Sequence, residues 1–199
     1  SLEFTFNYNP PVDATAAERG LKEGKEILDQ SGIAFLLSSG TCLGAIRDGA
    51  IIAWDDDLDI MSVMGVDGLS KAKVDTALET FRNRGYYIYA SPGDHPSFSM
   101  IKDWVRTGWD CYVSEKETVV VYPKQEIPLR LLRQPKEITF LGERFLVPNP
   151  PEEYLRLKYG EAWRTPKRAG AYEIDVVEKI PSMDVAGSPC RLRVFDEEG

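Results

Sequence analysis

A chain of 199 residues can bury the core of one ordinary domain, and 43% hydrophobic with 28% charged residues describes a globular protein rather than a disordered one. A formal net charge of −8 argues against a nonspecific polyanion binder, so no nucleic acid polymer is expected as a partner. It leaves room for a small phosphorylated substrate whose charge is met locally by metal ions.

In chain order, residues 1–12 read as an extended aromatic arm closed by Pro10-Pro11. Asp13 or Thr15 caps a helix that runs to about Gln30, with Ala17, Leu21, Ile27 and Leu28 near one face and Gly32 as its stop. "IAFLLSSG", Ile33 to Gly40, is a short buried strand followed by a tight turn. "TCLGAIRDG" forms a short helix ending near Gly49, and "IIAWDDDLDIMSV" is the next strand region. "DGLSKAKVDTALETFRNRG" is an amphipathic helix with Leu69, Val74, Leu78 and Phe81 inward. "YYIYA" is a strand, and "SFSMIKD" and "WDCYVSE" form an antiparallel pair flanking "WVRTG". "TVVVYP" extends the β region, and "KEITFLGERFLVP" is a hairpin around Leu141-Gly142. "NPPEEYLRLKYG" is a helix with proline near its start. No repeat, low-complexity tract or linker interrupts the pattern, which gives a single α+β domain over 1–199, with a core of about 13–166 and a C-terminal extension of 167–199.

Cys42, Cys111 and Cys190 are widely spaced and contain no CxxC pair, which excludes a disulfide framework or zinc knuckle and fits free thiols in a reducing cytosol. The single histidine, His95, cannot build a multi-histidine metal site. No run of about 18 apolar residues and no secretory leader pattern occurs. The expected location is cytoplasmic, with attachment to a membrane only through a glycan-assembly partner.

The stretch that carries chemistry is "GTCLGAIRDGAIIAWDDDLDIM", Gly40 to Met61. Asp55, Asp56, Asp57 and Asp59 crowd four negative charges between apolar neighbours. Alternation along a strand puts Asp55, Asp57 and Asp59 on one face, with Asp56 and Leu58 on the other. Hard oxygen ligands at that spacing suit Mg²⁺ or Mn²⁺, one or two ions, which also retain substrate phosphate oxygens in their shell. Upstream, Ser39, Gly40 and Thr41 form a strand-to-helix turn suited to a phosphate, and Arg47 is placed to reach a phosphate oxygen or to pair with Asp48 or Asp55. The competing reading of the acidic run is a solvated surface turn. A calcium loop is disfavoured, because "DDDLDIMSVMGVDG" lacks the glycine at the sixth position and the glutamate at the twelfth that an EF-hand needs.

The segment "GTCLGAIRDGAIIAWDDDLDI" resembles the signature of the LicD/fukutin-related family. "WDCYVSE" and "ERFLVPNPPEEYLRLKYGEAWRTP" are similar to two later family stretches, so the likeness covers roughly Ile33 to Pro166. The resemblance implies a nucleotidyltransferase-like mixed sheet flanked by helices. It also implies transfer of a phosphorylated alcohol, such as phosphocholine or ribitol phosphate, from a CDP-activated donor to a sugar or glycan hydroxyl. Carried over position by position, Asp57 and Asp59 match the Asp-x-Asp metal ligands, Asp55 the first aspartate of the cluster, Gly40 and Thr41 the phosphate turn, and Asp110 the third carboxylate. Asp110 is then either a metal ligand or the base for the acceptor hydroxyl. "YVSE" departs from the family's Phe-Pro after that aspartate. No Cys/His cluster matches the structural zinc of some animal members, so no zinc is expected.

Weaker candidates are Lys102, facing the phosphates or solvated, and His95, a substrate contact or a surface residue. Trp104 and Trp109 either stack on a base or pack the hairpin. Tyr159 and Trp163 read as packing residues. The alternatives to phospho-alcohol transfer are nucleotidyl transfer from an NTP to a small molecule and a non-catalytic nucleotide- or metal-binding module.

Overall fold

The helix expected after Asp13 forms as α1, Ala14–Gln30, and the Asp13 carboxylate accepts a hydrogen bond from the Ala16 amide at 2.8 Å. Ala17, Leu21, Ile27 and Leu28 are buried on one side of it, at the spacing of a single helical face. The structure is a computed structural model that describes residues 11–93, 95–121 and 124–167. Nearly all of the expected arm at 1–12 and of the extension at 167–199 lies outside the described residues, as does Cys190.

The central sheet has five strands in the order β1-β2-β5-β4-β3. They are β1 (Leu36–Leu37), β2 (Leu58–Val63), β3 (Tyr87–Ser91), β4 (Ser97–Lys102) and β5 (Val105–Tyr112). β2 pairs parallel with β5, and every other contact in the sheet is antiparallel, so the sheet is mixed. A parallel pair needs a long crossover. Here it is made by α3, Lys71–Asn83, together with β3 and β4. Ser70 caps α3 through its side chain, and Val74, Ala77, Leu78 and Phe81 form its buried face. α2, Ser39–Leu43, follows β1 and runs into a π-helical turn, Gly44–Asp48.

The rest of the chain builds on one end of this sheet. β6 (Ser114–Glu115), β7 (Thr118–Val121) and β8 (Gln125–Pro128) make a three-stranded antiparallel sheet. The short α4, Arg130–Arg133, leads to the hairpin β9 (Lys136–Phe140) and β10 (Glu143–Val147). Its turn, Leu141-Gly142, has both residues left-handed, at φ 52° and 80°, which suits the twist of a two-residue hairpin. α5, Pro151–Tyr159, has proline in its first turn and Gly160 just beyond its end.

Register decides which side chains meet. Asp59 pairs with Gly108 and Met61 with Asp110, so both carboxylates stand on the same face of the sheet. Ile60 pairs with Trp109, and both are buried on the other face. There the Trp109 indole donates to Ser62 Oγ at 3.1 Å, and Ser62 Oγ donates to the Ala34 carbonyl at 2.9 Å. Val105 shares that face and lies 3.8 Å from where a Cβ on Gly20 of α1 would stand.

Two expectations are corrected. The strand read from Ile51 begins only at Leu58, and residues 51–57 form a loop in which the Asp55 amide donates to the Ile52 carbonyl at 3.1 Å. Backbone bonded within its own turn has no ladder to join. The segment "WVRTG" is not a connecting loop. Its last four residues are β5, and the turn is Asp103-Trp104, left-handed at φ 51° and 66° without a glycine to mark it.

Phe81 is fully buried and packs edge-on against Tyr86 at 5.1 Å between ring centroids. Truncation to alanine at this position should lower stability by about 3–5 kcal/mol, read as a shift of the urea unfolding midpoint at constant slope.

Candidate active site

The carboxylates gather where β2 begins. Ligand oxygens of Asp55, Asp56 and Asp57 lie within 4.8 Å of one another, all three residues being half-buried. Because these residues are in a loop, the strand alternation that separated Asp56 from its neighbours does not hold, and Asp56 joins the cluster. Asp59 follows on β2, and Asp110 stands on the same face of the adjacent β5.

The Ser39–Thr41 turn holds this cluster. The Gly40 amide donates to Asp59 Oδ2 at 3.2 Å, and the Asp59 amide donates to Thr41 Oγ1 at 2.8 Å. A Cβ on Gly40 would lie 2.3 Å from Asp55 Oδ2, so any larger residue there would have to push that carboxylate aside. Ser39 has φ 40°, and its amide donates to the Tyr154 hydroxyl at 3.0 Å. The Ser39 and Gly40 amides, expected to receive a phosphate, are thus engaged by Tyr154 of α5 and by Asp59.

Two buried cations face the acids. Arg106, on the same β5 face as Asp110, donates through Nη2 to Asp57 Oδ2 at 2.8 Å and to Asp56 Oδ2 at 2.9 Å. Lys158 of α5 is 3% exposed and interacts electrostatically with Asp59 and Asp110. Burial pulls its ammonium down to about 8, against the upward pull of those two carboxylates.

The acids respond differently. Burial raises Asp57 to about 6, with Asp56 and Asp110 adding to the rise and the Arg106 charge and hydrogen bond opposing it. Burial, then Asp57 and Asp55, hold Asp59 well above the ordinary carboxylate range. Burial would also raise Asp110, but hydrogen bonds from His95, Ser97 and Tyr112 outweigh it and leave Asp110 low. The Tyr112 hydroxyl donates to Asp110 Oδ2 at 3.0 Å, and His95 Nε2 lies 3.4 Å from Oδ1, with its ring 4.5 Å from that of Tyr112. His95 therefore belongs to the site as a neighbour of Asp110.

Two other candidates lie on the opposite face of the sheet, and a third is engaged in an ion pair. Lys102 faces α1, where its ammonium bonds both Glu23 oxygens at 2.9 and 2.8 Å and lies 5.0 Å from the Tyr86 ring centre, so it is not a phosphate ligand. Trp109 is fully buried on the opposite face of the sheet from Asp110, which makes it a core residue and not a substrate contact. Arg47 takes the ion-pair alternative, bonding both Asp48 oxygens at 2.9 Å. Trp104 is exposed at the hairpin turn, whereas Tyr159 and Trp163 are buried as packing residues. Cys42 and Cys111 are free and buried, and burial pushes the Cys111 thiol up to about 12.

Sequence reading missed Arg106, Lys158, Tyr154 and Tyr112. Arg106, Gly108, Asp110 and Tyr112 alternate on one strand face, a signal hidden while "WVRTG" read as a loop. Tyr154 and Lys158 are one helical turn apart, and a lysine in register with buried aromatic and leucine positions is the available signal.

The mixed sheet, its flanking helices and the carboxylates at the start of β2 define a nucleotidyltransferase-type fold. The solved antibiotic-resistance factor ANT(2″)-Ia is similar in structure, with a TM-score of 0.52 and 13% identity, covering 77% of this chain and 76% of that one. The profile described as "LicD/FKTN/FKRP, nucleotidyltransferase domain" matches residues 32–150, more than half of the sequence, and the chain belongs to that family. Ribitol 5-phosphate transferase FKRP of Mus musculus is 24% identical over 166 residues, which is 77% of this chain and 33% of that protein. An uncharacterised protein of Rickettsia typhi is 38% identical over 68 residues, 34% of this chain and 21% of that protein. The chain thus spans a third or less of the length of these relatives. No described helix is long and apolar enough to cross a membrane.

Two outcomes test this geometry. Gly40→Ala should displace the Asp55 carboxylate and weaken Mn²⁺ binding at least about tenfold, measured by calorimetry, since 2.3 Å is far inside contact distance. Asp59→Asn keeps the acceptor for the Gly40 amide but removes the charge. A carboxyl raised in the folded state favours folding below its unfolded value and loses that contribution as pH rises through its folded value. In EDTA, Asp59→Asn should therefore melt higher than the parent at pH 8, with the gap closing towards pH 4, as read by scanning calorimetry.

Proposed function

We propose that this protein is a metal-dependent transferase that moves a phosphorylated alcohol, of the phosphocholine or ribitol-phosphate kind, from a CDP-activated donor to a sugar hydroxyl. The observation that carries this reading is the gathering of Asp55, Asp56 and Asp57 within 4.8 Å, with Asp59 and Asp110 on the adjoining sheet face adding to a charge density that burial makes unfavourable. Membership of the LicD family supports the class of chemistry.

The residues fit Mg²⁺ or Mn²⁺. All donors are carboxylate oxygens, and a cation relieves the pressure that raises Asp57 and Asp59. The Trp54 indole nitrogen, next to the cluster in sequence, is buried without an acceptor among the described residues, and a donor in that condition favours an added polar ligand. Asp55, Asp57 and Asp59 would hold one or two ions, with Asp110 completing the set. When bound, the metal polarises the phosphoryl oxygens and stabilises the leaving phosphate.

The chain's own residues then have distinct tasks. Arg106 fixes one oxygen of Asp57 and leaves the other to bind. His95 and Tyr112 orient Asp110, whose low proton affinity suits a ligand or orienting group better than a base. In the reaction the acceptor oxygen bonds to the phosphorus of the phospho-alcohol. The bond from that phosphorus to the bridging oxygen breaks, CMP leaves with the electron pair, and the acceptor proton passes to solvent.

The test is incubation with a panel of CDP-activated alcohols and NTPs in Mg²⁺, reading the nucleotide released. CMP release that depends on a sugar acceptor is expected, and pyrophosphate release would replace this reading with nucleotidyl transfer. Asp57→Asn should lower turnover by about 100-fold or more while the melting temperature in EDTA holds or rises, and unchanged turnover would remove Asp57 from the chemistry.

A further inference from the structure

The profile match ends at residue 150, before α5, and the function proposed above gives no task to the most deeply buried cation in the site. Lys158 is 3% exposed on a helix whose neighbouring turn is fixed to the site. One turn earlier, the Tyr154 hydroxyl bonds the Ser39 amide at 3.0 Å and lies 3.3 Å from Ser38 Oγ. At the helix end, the Gln125 side-chain amide donates to the Lys158 carbonyl at 3.0 Å. The lysine backbone is therefore held on both sides, and its ammonium acts on Asp59 and Asp110 together.

Those two carboxylates lie on neighbouring strands of one face, two residues apart in register. Two divalent ions in one site must share carboxylates, because they sit about 3.5–4 Å apart. A buried ammonium acting on Asp59 and Asp110 brings positive charge to the side where a second ion would share them. The Asp55–Asp57 side has Arg106 on Asp56 and Asp57, and it retains an excess of carboxylates over cations.

We propose that Lys158 is the resident cation of the site and takes the place of a second divalent ion, so that the protein works with one metal ion, bound on the Asp55–Asp57–Asp59 side. Lys158 is a positioning residue that sets metal stoichiometry. This rests on the metal-dependent reading above and deepens it from "one or two" ions to one.

The experiment is titration of the full chain with MnCl₂ in the presence of CDP, counting bound ions by electron paramagnetic resonance, for the parent, Lys158→Met and Lys158→Arg. The parent and Lys158→Arg should bind one Mn²⁺. Lys158→Met, similar in length but neutral, should bind a second ion, or bind the first at least about tenfold more tightly. Its melting temperature should also rise more on Mn²⁺ addition than the parent's. Two ions in the parent overturn the proposal, as does a folded Lys158→Met with the parent's stoichiometry and affinity. Should Lys158→Met not fold, the parent count and Lys158→Arg still decide, since a second ion in either defeats the idea. No Mn²⁺ bound by the parent would instead bring down the metal reading itself, and this inference with it.

Discussion

Mutual repulsion among four carboxylates at the start of β2 and a fifth, Asp110, on the neighbouring β5 is the constraint around which this structure is arranged. Two like charges about 4 Å apart cost on the order of 4 kcal/mol at the effective dielectric of a partly buried site. Four of the five acids have an identifiable compensation. Arg106 serves Asp56 and Asp57, the Gly40 amide and Lys158 serve Asp59, and His95 and Tyr112 serve Asp110. The compensation is complete for Asp110, which stays low, and incomplete for Asp57 and Asp59, which are pushed up. That residue of unfavourable charge is where a cation gains most by binding.

The sheet makes the arrangement rigid by dividing its labour between faces. On one side Ile60, Trp109 and Ser62 join the core through apolar contact and a buried hydrogen-bond relay to Ala34. On the other side the same two strands present Asp59, Arg106 and Asp110. A register slip of one residue would exchange the faces, burying charge in the core and exposing Trp109, so core packing itself fixes the carboxylate positions. A site carried on paired strands is also held to closer tolerance than one carried on loops alone.

Much of this was legible in the sequence, and the failures have a common cause. α1, α3, the Leu141-Gly142 hairpin and α5 follow from capping residues, periodicity and turn chemistry, all local signals. The acidic cluster and its Gly-Thr neighbour stand out because like charges between apolar residues need a reason. The loop 51–57 was misread because its isoleucines look like strand, while its backbone turns back on itself at Ile52–Asp55 and, among the described residues, meets only Val12 outside the turn. Arg106 stayed hidden behind a glycine-free turn at Asp103-Trp104. Lys102 and Trp109 were left between alternatives because choosing a face for Lys102 and a core for Trp109 needs the sheet register, which is a long-range property. Tyr154 and Lys158 act on residues far earlier in the chain, Ser39 for the first and Asp59 and Asp110 for the second, beyond any local pattern.

The bond from Tyr154 to Ser39 closes a span of 115 residues. The strand and turn bearing most of the acids are made early, whereas the helix that steadies the turn and neutralises Asp59 is made late. A nascent or cleaved polypeptide ending before α5 would carry its acidic residues without Lys158 to balance them. The late helix is thus built into the electrostatics of the acidic site: a copy without it is left with an excess of negative charge around Asp59 and Asp110.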